Sequence, residues 1–353
     1  MKKYKRPLIL AGRGVRASGA GAEFREYVER YRIPVVTSLL GLDVLPYNHP
    51  FRVGFIGIYG NRWANYALGN CDFLLVLGSR MDSRQTGADR ELFRANKDIY
   101  HVDIDPVELN NNVKNCIAIN DDLADYLKKS LTFCEPTEDW IKEINRKRIE
   151  KPDTEELDCK GINPNIFIHD LSRSSWRAKV FTADVGANQM WCAQSIEVGK
   201  DQLFLTSGGM GAMGYALPAA IGATIETNMP AVCISGDGGM QINIQELQTV
   251  KRNNLPVKIV VLNNHCLGMI RQFQDLYFGS RYQSTVIDYD APEFTKVAEA
   301  YGIASYKINH PENIELGLKR LWEDPFEPFL LEVEIDIHTN ISPRVTYGKP
   351  LTE

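Results

Sequence analysis

Paired cysteines, long apolar runs and an excess of positive charge are all missing from this sequence, and each absence narrows what the chain does. Seven cysteines are scattered over 353 residues with no Cys-x-x-Cys pair. They give neither a disulfide framework nor a zinc site, and a reducing cytoplasm is the expected compartment. The six histidines are equally dispersed. No apolar run reaches membrane-spanning length, and the run at residues 8–11 stops at Gly12, too short for an export segment. The net charge of -5 leaves no basic stripe, so neither nucleic acid nor a membrane is an expected partner. Arg146-Lys-Arg148 sits in a mixed, helix-like run and is read as a solvated face.

The composition is that of a globular protein, and the length suffices for two domains of ordinary size. Short apolar strands recur with helical intervals between them: 6–11, 34–38, 73–78 and 99–105 in the first part, 179–186, 231–236, 257–263, 305–308 and 329–335 in the second. That alternation predicts an α/β fold of two doubly wound parallel-sheet domains. The first is expected over 1–131, closing with a helix over 121–131. A break at Glu135-Pro-Thr-Glu-Asp139, a strongly charged helical stretch up to Glu150 and a stretch over 151–156 without apolar periodicity then predict an exposed linker over 132–162. The second domain is expected over 163–340, with an irregular tail over 341–353.

Two stretches of the second domain carry chemistry. Ala231-Val-Cys-Ile-Ser-Gly-Asp-Gly-Gly239 and Val257-Lys-Ile-Val-Val-Leu-Asn-Asn264 each run as a buried strand and stop in small or amide residues, which delivers a loop to the carboxyl edge of a sheet. Between them Asn243-Ile-Gln-Glu246 reads as a helix N-cap with its capping-box partner. A right-handed crossover places such strands side by side, so that Asp237 and Asn264 converge. One carboxylate and one amide oxygen make half of a Mg²⁺ site, and the remaining positions suit a diphosphate. Gly236, Gly238 and Gly239 let the backbone approach phosphate oxygens.

Gly236-Asp-Gly238 followed by Asn263-Asn264 resembles the thiamine-diphosphate signature. The segments Thr206-Ser-Gly-Gly-Met-Gly-Ala-Met-Gly214, Gln245-Glu-Leu-Gln-Thr-Val-Lys-Arg252 and Leu267-Gly-Met-Ile-Arg-Gln-Phe-Gln274 are similar, in the same order, to acetolactate synthase large subunits. The resemblance implies a middle Rossmann-like domain followed by a C-terminal domain that binds thiamine diphosphate and Mg²⁺. It also implies a site. The metal takes Asp237, Asn264 and the carbonyl of Cys266; Met213 bends the cofactor beneath its thiazolium; Gly211, Leu267, Gly268 and Met269 line the cofactor with the three glycines. The stretch Ala187-Asn-Gln-Met-Trp191 corresponds to a diphosphate-holding loop in which Ala187 and Asn188 replace Gln and His; only Asn188 keeps a donor. Phe273 stands where many synthases have a Trp in the acceptor pocket.

In flavin-containing members the middle domain binds FAD, and 57–62, 78–87 and 102–105 resemble the contacting segments, although Tyr59 and Asn61 depart from the usual His and Thr. Retained FAD and an inherited fold without it are both open. Asp103 and Asp105 also read as strand-end residues that cap the next element. The implied reaction is carboligation or decarboxylation of a 2-keto acid such as pyruvate by a homo-oligomer. In this family a glutamate on a separate pyrimidine-binding domain serves the cofactor's aminopyrimidine. The sequence is expected to begin after that domain, so a pyrimidine-binding domain or subunit is an expected partner. A related decarboxylase or acetyltransferase, or a cofactor-binding fragment without catalysis, are the alternatives.

Overall fold

The structure, a computed structural model, describes residues 4–129, 138–346 and 348–352. It forms two compact units: Met1–Asp153 with Pro343–Glu353, and Thr154–Ser342. Among the described residues no helix is long and apolar enough to cross a membrane.

The first unit holds β1 (Pro7–Ala11), β2 (Val35–Thr37), β3 (Arg52–Phe55), β4 (Phe73–Leu77), β5 (Asp98–Asp103) and β6 (Ile117–Asn120). They pair in the order β3-β2-β1-β4-β5-β6, every pair parallel. The central strands β1 and β4 read as continuous apolar runs because both faces are covered. Leu8, Leu10, Leu74 and Val76 enter one core, whereas Ile9, Ala11, Phe73, Leu75 and Leu77 enter the other.

The expected linker differs from what folds. Helix Glu138–Glu150 is a packed element of the first unit: Trp140 and Ile144, one turn apart, are buried. The Trp140 indole N–H donates to the Pro7 carbonyl at 3.1 Å, and Arg6 lies over its ring while pairing with Glu143 at 3.1 Å. Nor is Arg148 simply solvated, since it donates to the Tyr47 hydroxyl at 2.6 Å and lies over that ring. The expected closing helix is observed as Leu123–Lys128. Its last expected residues, and most of the break at 135–139, lie outside the described residues.

The second unit holds β7 (Val180–Ala183), β8 (Leu203–Thr206), β9 (Ala231–Gly236), β10 (Val257–Asn263), β11 (Ala304–Ile308) and β12 (Phe329–Glu334). Their order is β11-β12-β10-β9-β7-β8, again parallel throughout. Ala231, Cys233, Val257, Ile259 and Val261 face one core with Leu217, Leu247 and Val250 from the helices. The chain goes from β7 outward to β8 and then returns to β9 on β7's other side. That reversal leaves a crevice at the carboxyl ends of β7 and β9, where open α/β sheets bind ligands.

The capping box predicted at Asn243 does not form. Asn243 makes no cap hydrogen bond; Ile244–Glu246 is a 3-10 turn, and the helix itself is Leu247–Arg252. The Asn243 amide is committed elsewhere, donating to the Gly214 carbonyl at 2.8 Å, and Glu246 accepts from the Thr249 hydroxyl at 2.8 Å.

Candidate metal and diphosphate site

The site is assembled from three strand ends. After β7 the chain passes Asp184 and Gly186 into helix Ala187–Ser195; after β9 helix Asp237–Ile242 starts at once; after β10 a short turn leads to helix Gly268–Tyr277. Leu262 pairs with Gly236, so the residues that follow, Asn263-Asn264 and Asp237, leave the sheet side by side. Their loops surround a cavity of about 200 Å³. Its lining contains Asn188, Gly211, Met213, Gly236, Asp237, Gly238, Gly239, Asn264, Cys266, Leu267, Gly268 and Met269, which is the whole set expected from sequence except Phe273.

Within the cavity wall the Asn264 side-chain amide meets two oxygens. One end of the Asn264 side-chain amide lies 2.9 Å from the Cys266 carbonyl oxygen and 3.3 Å from Asp237 Oδ1. Adjacent ligands of an octahedral ion with bonds of about 2.1 Å are about 3 Å apart, so the spacing fits Mg²⁺. Turning the amide over would instead let its nitrogen donate to both oxygens. Asp237 Oδ2 is buried with no hydrogen-bond partner. Burial pushes the Asp237 carboxyl up to about 6, against the smaller opposing pull of the Gly238 N–H and the Tyr289 hydroxyl. Among the described residues no cluster of three His, Cys, Asp or Glu could hold a metal. A cation here would therefore draw its remaining ligands from phosphate and water.

The metal loop has its own support. His265 sits in the left-handed region at φ 53°, and its N–H donates to Asn263 Oδ1 at 3.1 Å. Asn263 in turn donates to Glu332 on β12 at 2.9 Å. The Cys266 thiol points to the Ile337 carbonyl at 3.8 Å and is pushed up to about 11 by burial, which leaves the backbone oxygen as the group offered to a cation.

The expected loop Ala187–Trp191 is instead the first turns of helix Ala187–Ser195, every residue of which is buried. The Asn188 amide nitrogen donates to the Asp184 carbonyl at 2.8 Å and lies 3.5 Å from that of Ile234. The donor expected for a phosphate is thus used within the scaffold, and what Asn188 turns toward Gly186 and Gly236 is its oxygen. Phe273 is not at the cavity: 48% exposed, it stacks on Tyr277 at 4.7 Å and on Phe278 at 5.9 Å. Gly239 has a task besides lining the cavity. A Cβ there would stand 2.9 Å from the Asp184 carboxyl carbon, so this glycine also makes room for Asp184.

Asp184 is the residue that sequence reading missed. Fully buried at the end of β7, it accepts from the N–H groups of Val185 at 2.8 Å, Gly214 at 2.9 Å and Ala216 at 3.0 Å. Burial raises its pKa, opposed by these three N–H groups. Together with Asn243 on the Gly214 carbonyl, it fixes both the N–H and the C=O of Gly214, the residue next to Met213. Met213 reaches over the cavity, its methyl 3.3 Å from the Cβ position of an alanine at 238. A carboxylate that ends an apolar strand was the available signal.

Residues 1–130 match the thiamine pyrophosphate enzyme central domain, and residues 184–333 the thiamine pyrophosphate enzyme C-terminal TPP binding domain. The chain is 37% identical to the acetolactate synthase large subunit of Pyropia yezoensis, across 99% of this chain and 60% of that one. Against the large subunit of Lactococcus lactis the values are 37%, 98% and 60%. Against the isozyme 2 large subunit of Escherichia coli they are 36%, 100% and 64%. The chain therefore spans about three-fifths of the length of these relatives. By these matches and by its two parallel sheets, the chain belongs to the thiamine pyrophosphate enzymes, whose central and C-terminal cofactor-binding domains it carries.

Proposed function

We propose that this chain supplies the Mg²⁺–diphosphate half of an acetolactate synthase-like enzyme that decarboxylates a 2-keto acid such as pyruvate and joins the remainder to an acceptor. The observation that carries the reading is the meeting of Asp237 Oδ1, the Asn264 side-chain amide and the Cys266 carbonyl in one cavity wall. The names of the relatives support the choice of reaction. Asp237, Asn264 and Cys266 hold the cation against the diphosphate, and Gly238, kept free of a side chain, admits the phosphates. Met213, fixed through Gly214, is the bulky support under the cofactor's central ring. When bound, thiamine diphosphate supplies the carbon that adds to the keto group and takes up the electrons left by carbon dioxide. Helix Ala187–Ser195, buried on every side, excludes water behind the phosphates.

No carboxylate in the cavity other than Asp237 is placed to serve the aminopyrimidine. The proposal therefore includes a pyrimidine-binding domain, on this polypeptide or another, that closes over the cavity in a homo-oligomer. The flavin-like segments of the first unit spend their polar groups locally. Asp103 accepts from the Asp105 N–H at 3.0 Å, Asp105 from Val107 at 2.9 Å, and Ser79 donates to Gln85 at 2.6 Å. This pattern supports the inherited fold without flavin.

The test is carbon dioxide and acetolactate release from pyruvate with thiamine diphosphate and Mg²⁺. It is run on residues 1–353 and repeated with a separately produced pyrimidine-binding domain. Turnover is expected only in the second case. Robust turnover by residues 1–353 alone would require a proton-transfer group within them and overturn the proposed division of labour.

A further inference from the structure

Two buried groups of complementary character lie side by side at the metal position. Asp237 Oδ2 is an acceptor without a partner, and the Tyr289 hydroxyl, a donor, is likewise buried without one. Tyr289 stands on the segment that follows helix Gly268–Tyr277. That segment is tied back to the site: the Leu267 N–H donates to the Thr285 carbonyl at 3.0 Å, and the Thr285 hydroxyl to the Gln274 side chain at 2.5 Å. Its ring is partly exposed but its oxygen points inward, 3.2 Å from where the Cβ of an alanine at 238 would lie, immediately beside Asp237. Gly238 is thus what lets the phenol approach the carboxylate.

We propose that Tyr289 is a positioning residue for the metal: its O–H holds Asp237 Oδ2, leaves only Oδ1 for the cation, and thereby favours Mg²⁺ over Ca²⁺. The inference rests on the reading of Asp237, Asn264 and Cys266 as metal oxygens. Its physical basis is the difference between the two ions. Mg²⁺ takes six ligands in near-octahedral geometry, whereas Ca²⁺ accepts more oxygens and often both from one carboxylate. A carboxylate with one oxygen held by a phenol cannot rotate to offer both. An unheld one can. Outer-sphere partners of this kind typically change metal affinity about 10–100-fold when removed.

The experiment is calorimetric titration of MgCl₂ and of CaCl₂ into the chain with thiamine diphosphate, for the parent, Tyr289→Phe and Asp237→Asn, with urea unfolding of each in EDTA. Tyr289→Phe is expected to lose Mg²⁺ affinity about 10–100-fold. Ca²⁺ affinity should fall less, so the Ca²⁺:Mg²⁺ preference rises, while the metal-free unfolding midpoint stays near the parent's. Unchanged affinities, or equal losses for both ions, would overturn the role of Tyr289. Equal Mg²⁺ binding by the parent and Asp237→Asn, or none by either, would remove the metal site itself.

Discussion

Replacing Asp237 by Asn should make the metal-free chain more stable, although it destroys the proposed site. The carboxyl has a folded-state pKa of about 6 against an ordinary value of 3.8, mainly because burial penalises its charge. The difference of about 2 units, at about 1.36 kcal/mol per unit, is a cost of about 3 kcal/mol for holding the carboxylate charged in the fold. The sign follows from linkage. With the folded pKa raised, the folded state binds the proton more tightly, so stability falls as pH rises from 3.8 toward about 6 and then levels off. Asn carries no charge and escapes the cost. In EDTA at about pH 7.5 the variant should therefore unfold with about 3 kcal/mol more stability, and near pH 5 with about half that advantage. Urea unfolding followed through Trp191, buried beside the cavity, measures both. Saturation with Mg²⁺ and thiamine diphosphate should stabilise only the parent, by about 2.7 kcal/mol at a hundredfold excess over Kd. A variant less stable than the parent in EDTA at neutral pH, or an advantage that does not shrink on acidification, would refute the reasoning.

Asp184→Ala should have the opposite effect, since it strips the acceptor from three backbone N–H groups; a loss of at least about 3 kcal/mol is expected in urea unfolding. Lys258, buried at the start of β10 with its ammonium on the carbonyls of Asp324 at 2.6 Å and Glu327 at 2.5 Å, is pushed down to about 8 by burial. Because its folded pKa lies below 10.5, the unfolded chain binds the proton more tightly, and the parent should gain up to about 3 kcal/mol between about pH 8 and 10.5. Lys258→Met should lack that rise, and parallel pH profiles for the two proteins would count against it.

The strands of both sheets were legible because a fully buried parallel strand announces itself locally, as an apolar run cut off by glycine or a polar residue. Adjacent crossover strands then bring Asp237 and Asn264 together with no further information. Helix Ala187–Ser195 was misread for a related reason: buried on all sides, it shows no amphipathic period to identify it. Helix Glu138–Glu150 was legible as a helical stretch but was assigned to the linker rather than to the first unit. Its charged residues dominate the local average, and only Trp140 and Ile144, four positions apart, reveal the buried face.

The site residues divide along the same line. Those on strand ends could be placed from sequence, because their partners lie on neighbouring strands at a fixed register. Asn243, Asp184 and Tyr289 could not. Each acts on a group 29, 30 or more positions away, or across a turn whose path local spacing does not encode. Asn243 has the composition of a cap, but a cap needs its Oδ1 aimed at the helix N–H groups, and here the side chain is oriented instead by its Nδ2 donating to the Gly214 carbonyl. What remains unpaired is more telling than what is paired. A fold that satisfies Asp184 three times over leaves Asp237, across the same crevice, with one buried oxygen that only the Tyr289 hydroxyl is placed to meet and a charge that burial penalises. Stability alone would favour Asn there. The persistence of a charged, underpaired carboxylate in a small cavity is the physical argument that a cation completes this site.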